Sequence, residues 1–192
     1  MMLSENQIPS SLIDGDVLAL AYKGIIKALQ DIMPANGVYR YVPITPRPSE
    51  KQWRAFTSKF PVVGLGWDSW HSDKGGAGIF RGPLVFTVAI ITDHRNPDHL
   101  YLGNGTQPGA FGVTAAALSV LNALTVPGVG TAYVRSASSS ELAQYLDDGQ
   151  GSVLLTVQFD NVALDLDRIL PQLDTFKQLS NTFKDSSSGE KS

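Results

Sequence analysis

The feature that most constrains this chain is a gap in its charge. From His99 to Val134, thirty-six consecutive residues pass without an Asp, Glu, Lys or Arg. An ordinary surface helix shows a polar stripe opposite its apolar one, so a stretch like this has to be covered, by its own chain or by another. Charged residues make up 17% of the whole chain, against about 25% in a typical soluble domain. The hydrophobic fraction, 43%, is not raised in compensation. The deficit is therefore local.

Inside the gap, Phe111-Gly-Val-Thr-Ala-Ala-Ala-Leu-Ser-Val-Leu-Asn-Ala-Leu124 reads as part of a helix from Gly109 to Leu124 with no charged face. Phe111, Ala115, Leu118 and Leu121 are expected to face a sheet, which leaves Val113, Ala116, Val120 and Ala123 on other sides. Small residues allow close approach, and a broad uncharged surface suits a permanent interface. The expectation is a homo-oligomer in which Leu100 to Val134 are largely hidden and the Phe111 helix lies beside a neighbouring subunit.

Composition excludes several function classes. The chain has 192 residues, enough for one domain with a real core. With 15 Lys+Arg against 18 Asp+Glu and no basic stripe, it lacks the clustered cations that hold duplex phosphates. The absence of cysteine excludes disulfides, thiolate metal sites and Cys nucleophiles. Met1 to Ser11 shows no basic and apolar leader pattern, and no run approaches a membrane-spanning length. The composition predicts a soluble, cytosolic globular protein.

Periodicity predicts the elements. Leu18, Ala21, Ile25, Leu29 and Ile32 recur at helical spacing, so a helix capped by Asp14 or Asp16 runs to Met33 and stops at Pro34 and Gly37. Gly24 inside that helix points to a close packing contact. Val38 to Val42 reads as a short strand, and Ser49 caps a short helix through Phe60. Val63, Leu65 and Trp67 form the bulky face of the next strand, followed by a turn-rich loop from Asp68 to Gly78. Phe80, Leu84, Phe86, Val88 and Ile90 share the core face of the strongest strand, with Pro83 near its start or on a sheet edge. After the helix, Val126-Pro-Gly-Val-Gly130 acts as a stop, and Thr131 to Ser136 is a strand. Ser138 to Gln150 is polar and partly helical, and the run from Val153 to Phe159 alternates as a strand. Four regions follow: a flexible N-terminus over 1–13, one α+β domain over 14–163, an amphipathic segment over 164–184 and a disordered tail over 185–192. The fold class is α+β, a mainly antiparallel twisted sheet with two main helices packed on one face.

Candidate chemistry is sparse, and each candidate has a plainer reading. His71 with Asp73, Asp93-His94 and Asp98-His99 are ligand types for Zn or Fe, yet they lie in loops with no metal-binding spacing. Gly103-Asn-Gly-Thr-Gln-Pro-Gly109 precedes a helix, and helix N-termini bind phosphates, but it lacks Gly-Lys-Ser/Thr and reads as a flexible loop. Ser138-Ser139-Ser140 near Glu141, and the pairs Asp147-Asp148 and Asp165/Asp167, serve as well in turns or on a solvated face. No catalytic residue, no metal ligand and no cofactor is assigned. Trp70 and His71 follow Trp67 across a turn; Trp67 is expected in the core and Trp70 is a candidate partner contact, since Trp is enriched at interface hot spots. The interface candidates are Trp70, His71, Phe111, Val113, Ala116, Val120 and Ala123.

The chain also resembles the tail terminator and Mu-like minor tail proteins of phages and prophages. The resemblance is carried by the N-terminal helix from Asp16 to Met33, Phe60-Pro-Val-Val-Gly-Leu65 and Arg81-Gly-Pro-Leu-Val-Phe-Thr-Val-Ala-Ile-Ile91. It continues through Asp93-His-Arg95, the Gly109-Ala-Phe-Gly helix with Leu118, Leu121 and Leu124, and Leu155-Thr-Val-Gln-Phe-Asp160. It covers residues 14 to 160; Pro43 to Pro48 and the segment after Asp165 fall outside it. It implies a non-enzymatic virion protein, assembled in the host cytoplasm, that forms a ring, commonly a hexamer, at the head-proximal end of the tail. Its partners would be further copies of itself, the tail tube protein, sheath and head-completion or neck proteins, with DNA only as passing cargo and no membrane. A head-tail connector or baseplate ring component, or in another class a carbohydrate- or metal-binding module using Trp70 and the histidines, are the alternatives.

Overall fold

The computed structural model describes residues 15–35, 39–45, 49–72, 80–94, 96–139, 146 and 149–164. The expectations for the N-terminus before Gly15, for most of Ser140 to Asp148, and for the chain after Leu164 lie outside these residues. In chain order the elements are α1 (Asp16–Ile32), β1 (Arg40–Pro43), α2 (Glu50–Phe56), β2 (Val62–Trp70) and β3 (Arg81–Asp93). A 3-10 turn (Pro97–His99) then leads to α3 (Ala110–Leu121), β4 (Leu124–Val126), β5 (Gly130–Ser138) and β6 (Gln150–Ala163).

The strands form one six-stranded sheet in the order β1-β2-β3-β6-β5-β4. β1 lies parallel to β2, and every other neighbouring pair is antiparallel. Period-two alternation sends Leu84, Phe86, Val88 and Ile90 of β3, with Leu155, Val157 and Phe159 of β6, to one face. The helices α1 and α3 cover that face through Ala21, Ile25 and Leu29 and through Val113, Ala117 and Leu121. The fold is thus α+β, with two main helices on one face of a mainly antiparallel sheet.

α1 occupies the span its periodicity predicts, but an aspartate does not cap it. Gly15 takes the cap position in the left-handed region, at φ 68°, with no side-chain cap bond. Asp16 falls in the first turn, where its charge still complements the helix dipole. Gly24 does mark a close contact: a Cβ there would stand 2.5 Å from Val126 Cγ2.

A second, smaller core lies on the opposite face. Ser49 and Gln52 form a reciprocal capping box that starts α2. Phe56 then packs with Val62, Ala89 and Ile91, flanked by Ile44 and Trp53. Gly64 is required here, because a Cβ would meet both the Ile44 and Phe56 side chains. The short helix ends at Phe56, not Phe60.

Three boundaries differ from the sequence reading, each for a local reason. β2 runs on through Asp68 and Ser69 to Trp70, with a bulge between Trp67 and Ser69; Asp68 to Trp70 is strand, not loop. Pro83 lies near the start of β3, as expected, and a bulge between Gly82 and Leu84 absorbs its missing N–H. α3 ends at Leu121, where Asn122 turns extended and Ala123 adopts φ 65°. Leu124–Val126 is then strand β4, and the following Pro-Gly forms a hairpin turn into β5.

Candidate functional site

The surface around α3 starts from how that helix begins. Gly109 and Gly103 bring two backbones together, since a Cβ on Gly109 would stand 2.5 Å from both Tyr101 O and Gly103 N. That approach lets Leu100 O accept from the Ala110 N–H (2.9 Å) and Tyr101 O from the Phe111 N–H (3.1 Å). These donors are normally orphaned at a helix start, so the loop's own carbonyls occupy the place a phosphate would take. Asn104 Oδ1 closes the loop further by accepting from the N–H groups of Thr106 (3.0 Å) and Gln107 (2.8 Å).

This anchoring fixes the rotation of α3. Ala110, Val113, Ala117 and Leu121 face the sheet; of the expected stripe Leu121 is there, Leu118 is half-buried against the core, and Phe111 and Ala115 are exposed. Phe111 is 62% exposed and its ring lies against Tyr101 at 5.2 Å between centroids. Tyr101 is itself 48% exposed and Leu102 82%. Beside them runs a groove of about 320 Å³ lined by Tyr101, Phe111, Ala115, Leu118, Ala137 and Val153. None of these side chains carries a charge. In a single chain, therefore, the uncharged stretch is not hidden but presents an apolar surface.

The interface candidates divide accordingly. Phe111 lies on this surface, Ala123 is exposed, and Ala116 and Val120 are half-buried against the core. Val113 is only 2% exposed and belongs to the chain's own core, so it is not available to a partner. Trp70 and His71 do not join this group, because they sit at the end of β2, two positions from β6 in the sheet. Trp67 keeps the face that its alternation with Val63 and Leu65 predicts, and the β2 bulge brings Trp70 to that same helix-covered face, opposite Leu84. Trp70 packs there edge-on against Phe80 at 4.9 Å and donates its indole N–H to Gly82 O (3.2 Å). Trp67 is 51% exposed. β1 pairs only as far as Leu65, and among the described residues no strand pairs with the outer side of β2 at Trp67. Tyr101 and Leu102 were not singled out from the sequence, although aromatic and leucine side chains beside a glycine-rich loop were a usable signal, and Trp67 was assigned to the core.

The histidines do not assemble into a metal centre: among the described residues no group of three His or acidic side chains is placed to hold a metal ion. His71 is exposed, and Asp73 lies outside the described residues. His94 is buried, with no hydrogen-bond partner at either ring nitrogen. It lines a polar cavity of about 720 Å³ with Lys59, Asp93, His99, Asn104 and Gln107. Ser139 contributes its carbonyl to Ser152 Oγ (3.0 Å), while Ser140, Glu141 and the aspartate pairs fall outside the described residues.

The sheet face opposite the main helices carries a polar network. Arg135 bridges Asp160 at 2.8 Å and lies over the Tyr133 ring. The Gln158 amide donates to Asp160 (2.6 Å) and, with Arg135, holds that carboxyl below the usual range. No helix of the described residues is long and apolar enough to cross a membrane. No protein-family model matches the chain, and no curated protein is significantly similar to it.

Proposed function

We propose that this chain is a structural, non-enzymatic ring subunit of the phage tail terminator type, which caps a tail tube and offers a surface for head or neck attachment. The observation that carries the reading is the uncharged apolar surface of Tyr101, Leu102 and Phe111 beside α3. Exposed contiguous apolar surface on a folded domain marks an interaction site, and here it spans the segment that has no charge at all. A ring of such subunits, with its tube, sheath and neck partners in the virion, accounts for a surface of this kind without any catalytic group. The mild acidity of the chain suits a lumen through which DNA passes without being held. The test is incubation with purified tail tubes under the electron microscope. A terminator decorates one tube end and stops further growth; a protein that decorates neither end refutes the reading, and one that binds the distal end is a baseplate component.

A second reading, a small-ligand-binding module, is favoured by one observation, the buried and unpartnered His94 facing a polar cavity. A carbohydrate- or metal-binding signal lost in His94→Ala would support it; no signal for either ligand in the wild type would exclude it.

A further inference from the structure

The sheet has two stepped edges. β1 pairs with β2 from Val62 to Leu65, and among the described residues no strand pairs with the outer edge of β2 from Trp67 to Trp70. β4 pairs with β5 from Gly130 to Ala132, and beyond Val134, whose N–H is taken by Asn122 Oδ1, no strand among the described residues pairs with the outer edge of β5 as far as Ser138. The free stretches lie on opposite sides of the sheet. They lie at adjacent levels of it, because the registers through β3 and β6 set Trp70 level with Ala132, Trp67 with Val134 and Ala137 with Leu65. An unpaired edge is a ready template for another strand. A free edge on each side is what a head-to-tail contact between copies needs, since a heterologous interface joins two different patches of one chain.

The side chains at these edges complete the match. Trp67 stands opposite Phe86, and Ala137 opposite Leu155, so both side chains lie on the helix-covered face. Trp67 projects there, half exposed, as a knob. Ala137 lines the apolar groove beside Phe111, Ala115 and Leu118. The two strands run in opposite directions in the chain, so copies in the same orientation pair antiparallel across this junction. Cross-strand neighbours share a face, so pairing Trp67 with Ala137 places the indole over the groove. In the same register Ser136 faces Asp68, and Arg135 of one copy comes beside Asp68 of the next, a pair of opposite charges at the two bulges.

We propose that copies of this chain join head to tail, with the free edge of β2 in one copy pairing with the free edge of β5 in the next and Trp67 seated in the groove between α3 and β5. This rests on the self-association put forward above and names the surfaces that carry it. The test uses Trp67→Ala, which removes the knob, and Ala115→Arg, which fills the groove with a charge; both positions are exposed, and circular dichroism checks that each variant is folded. By sedimentation velocity, the wild type is expected to be a closed oligomer and each variant alone a monomer. Mixed, the two variants are expected to form dimers and stop, because each retains one intact face. Because the chain has no cysteine, a Ser136→Cys, Asp68→Cys double variant is expected to cross-link into a ladder under oxidation, while either single variant does not cross-link to itself. An oligomeric wild type whose assembly survives both Trp67→Ala and Ala115→Arg overturns this pairing and leaves self-association standing. A wild type that is monomeric at every concentration overturns both, as does a monomer that takes up tube protein through the groove.

Discussion

At the scale of single residues, the account turns on contacts that leave no slack. Replacing Gly24 by alanine would raise helix propensity by roughly 1 kcal/mol, but the new Cβ would lie 2.5 Å from Val126 Cγ2 and 3.2 Å from Cγ1. Valine is stiff at χ1 and cannot swing away, so the clash dominates. Gly24→Ala is expected to destabilise the fold by about 1–3 kcal/mol in chemical denaturation, with Val126→Ala added to it recovering part of the loss. Tyr41 gives a pH signature. Its hydroxyl donates to Met33 O at 2.8 Å, and burial, with Tyr39 adding to it, pushes its pKa up to about 12. In the unfolded chain the phenol ionises near pH 10. Its contribution to stability is therefore complete below about pH 10 and falls away between there and about pH 12. Tyr41→Phe is expected to cost about 1 kcal/mol at neutral pH, through the lost hydrogen bond, and to flatten the decline in that alkaline window.

At the scale of elements, the sequence was most legible where polarity alternates. α1 and the core faces of β3 and β6 follow their periodicity closely, because one side of each meets water or a thinner layer and the other meets the core. α3 was legible as a helix but not in its rotation: with apolar side chains all round, no polar stripe distinguishes the sheet-facing side, and the loop contacts at Leu100 and Tyr101 decide it instead. Phe111 and Val113 therefore exchange the positions expected of them. β4 was missed because three residues between a helix end and Pro127-Gly128 carry no period of their own; pairing with β5 makes them a strand. The β2 bulge was equally invisible, and it brings Trp70 onto the face of Trp67 by resetting which side chains share a face. The rotation of α3 has a direct consequence. Phe111→Ser is expected to change the thermal midpoint by no more than about 2 °C, since surface substitutions stay within roughly 0.5 kcal/mol, yet to weaken assembly at least tenfold in concentration-dependent sedimentation. The mirror experiment, Val113→Ser, is expected to lower the stability of the fold itself, because it places a hydroxyl in the core without its lost methyl packing.

At the scale of the whole molecule, the charge gap acquires a location. It folds into the loop over Leu100 to Pro108, α3, β4 and the first half of β5, one continuous flank of the sheet. Its inner side is consumed by the chain's own core and its outer side is left apolar. The far flank of the same sheet offers Trp67 and an unpaired strand edge. The two flanks thus carry one apolar hollow and one aromatic knob. How these flanks align is not written in any single stretch of sequence, because the strand registers of β3 and β6 set it. The measurement that tests the central claim most directly is the solution mass of the wild-type chain across a concentration series, read together with electron microscopy of the same sample. The account calls for a closed ring whose mass is a fixed multiple of one chain; a mass of one chain at every concentration, with no rings in the images, would contradict it.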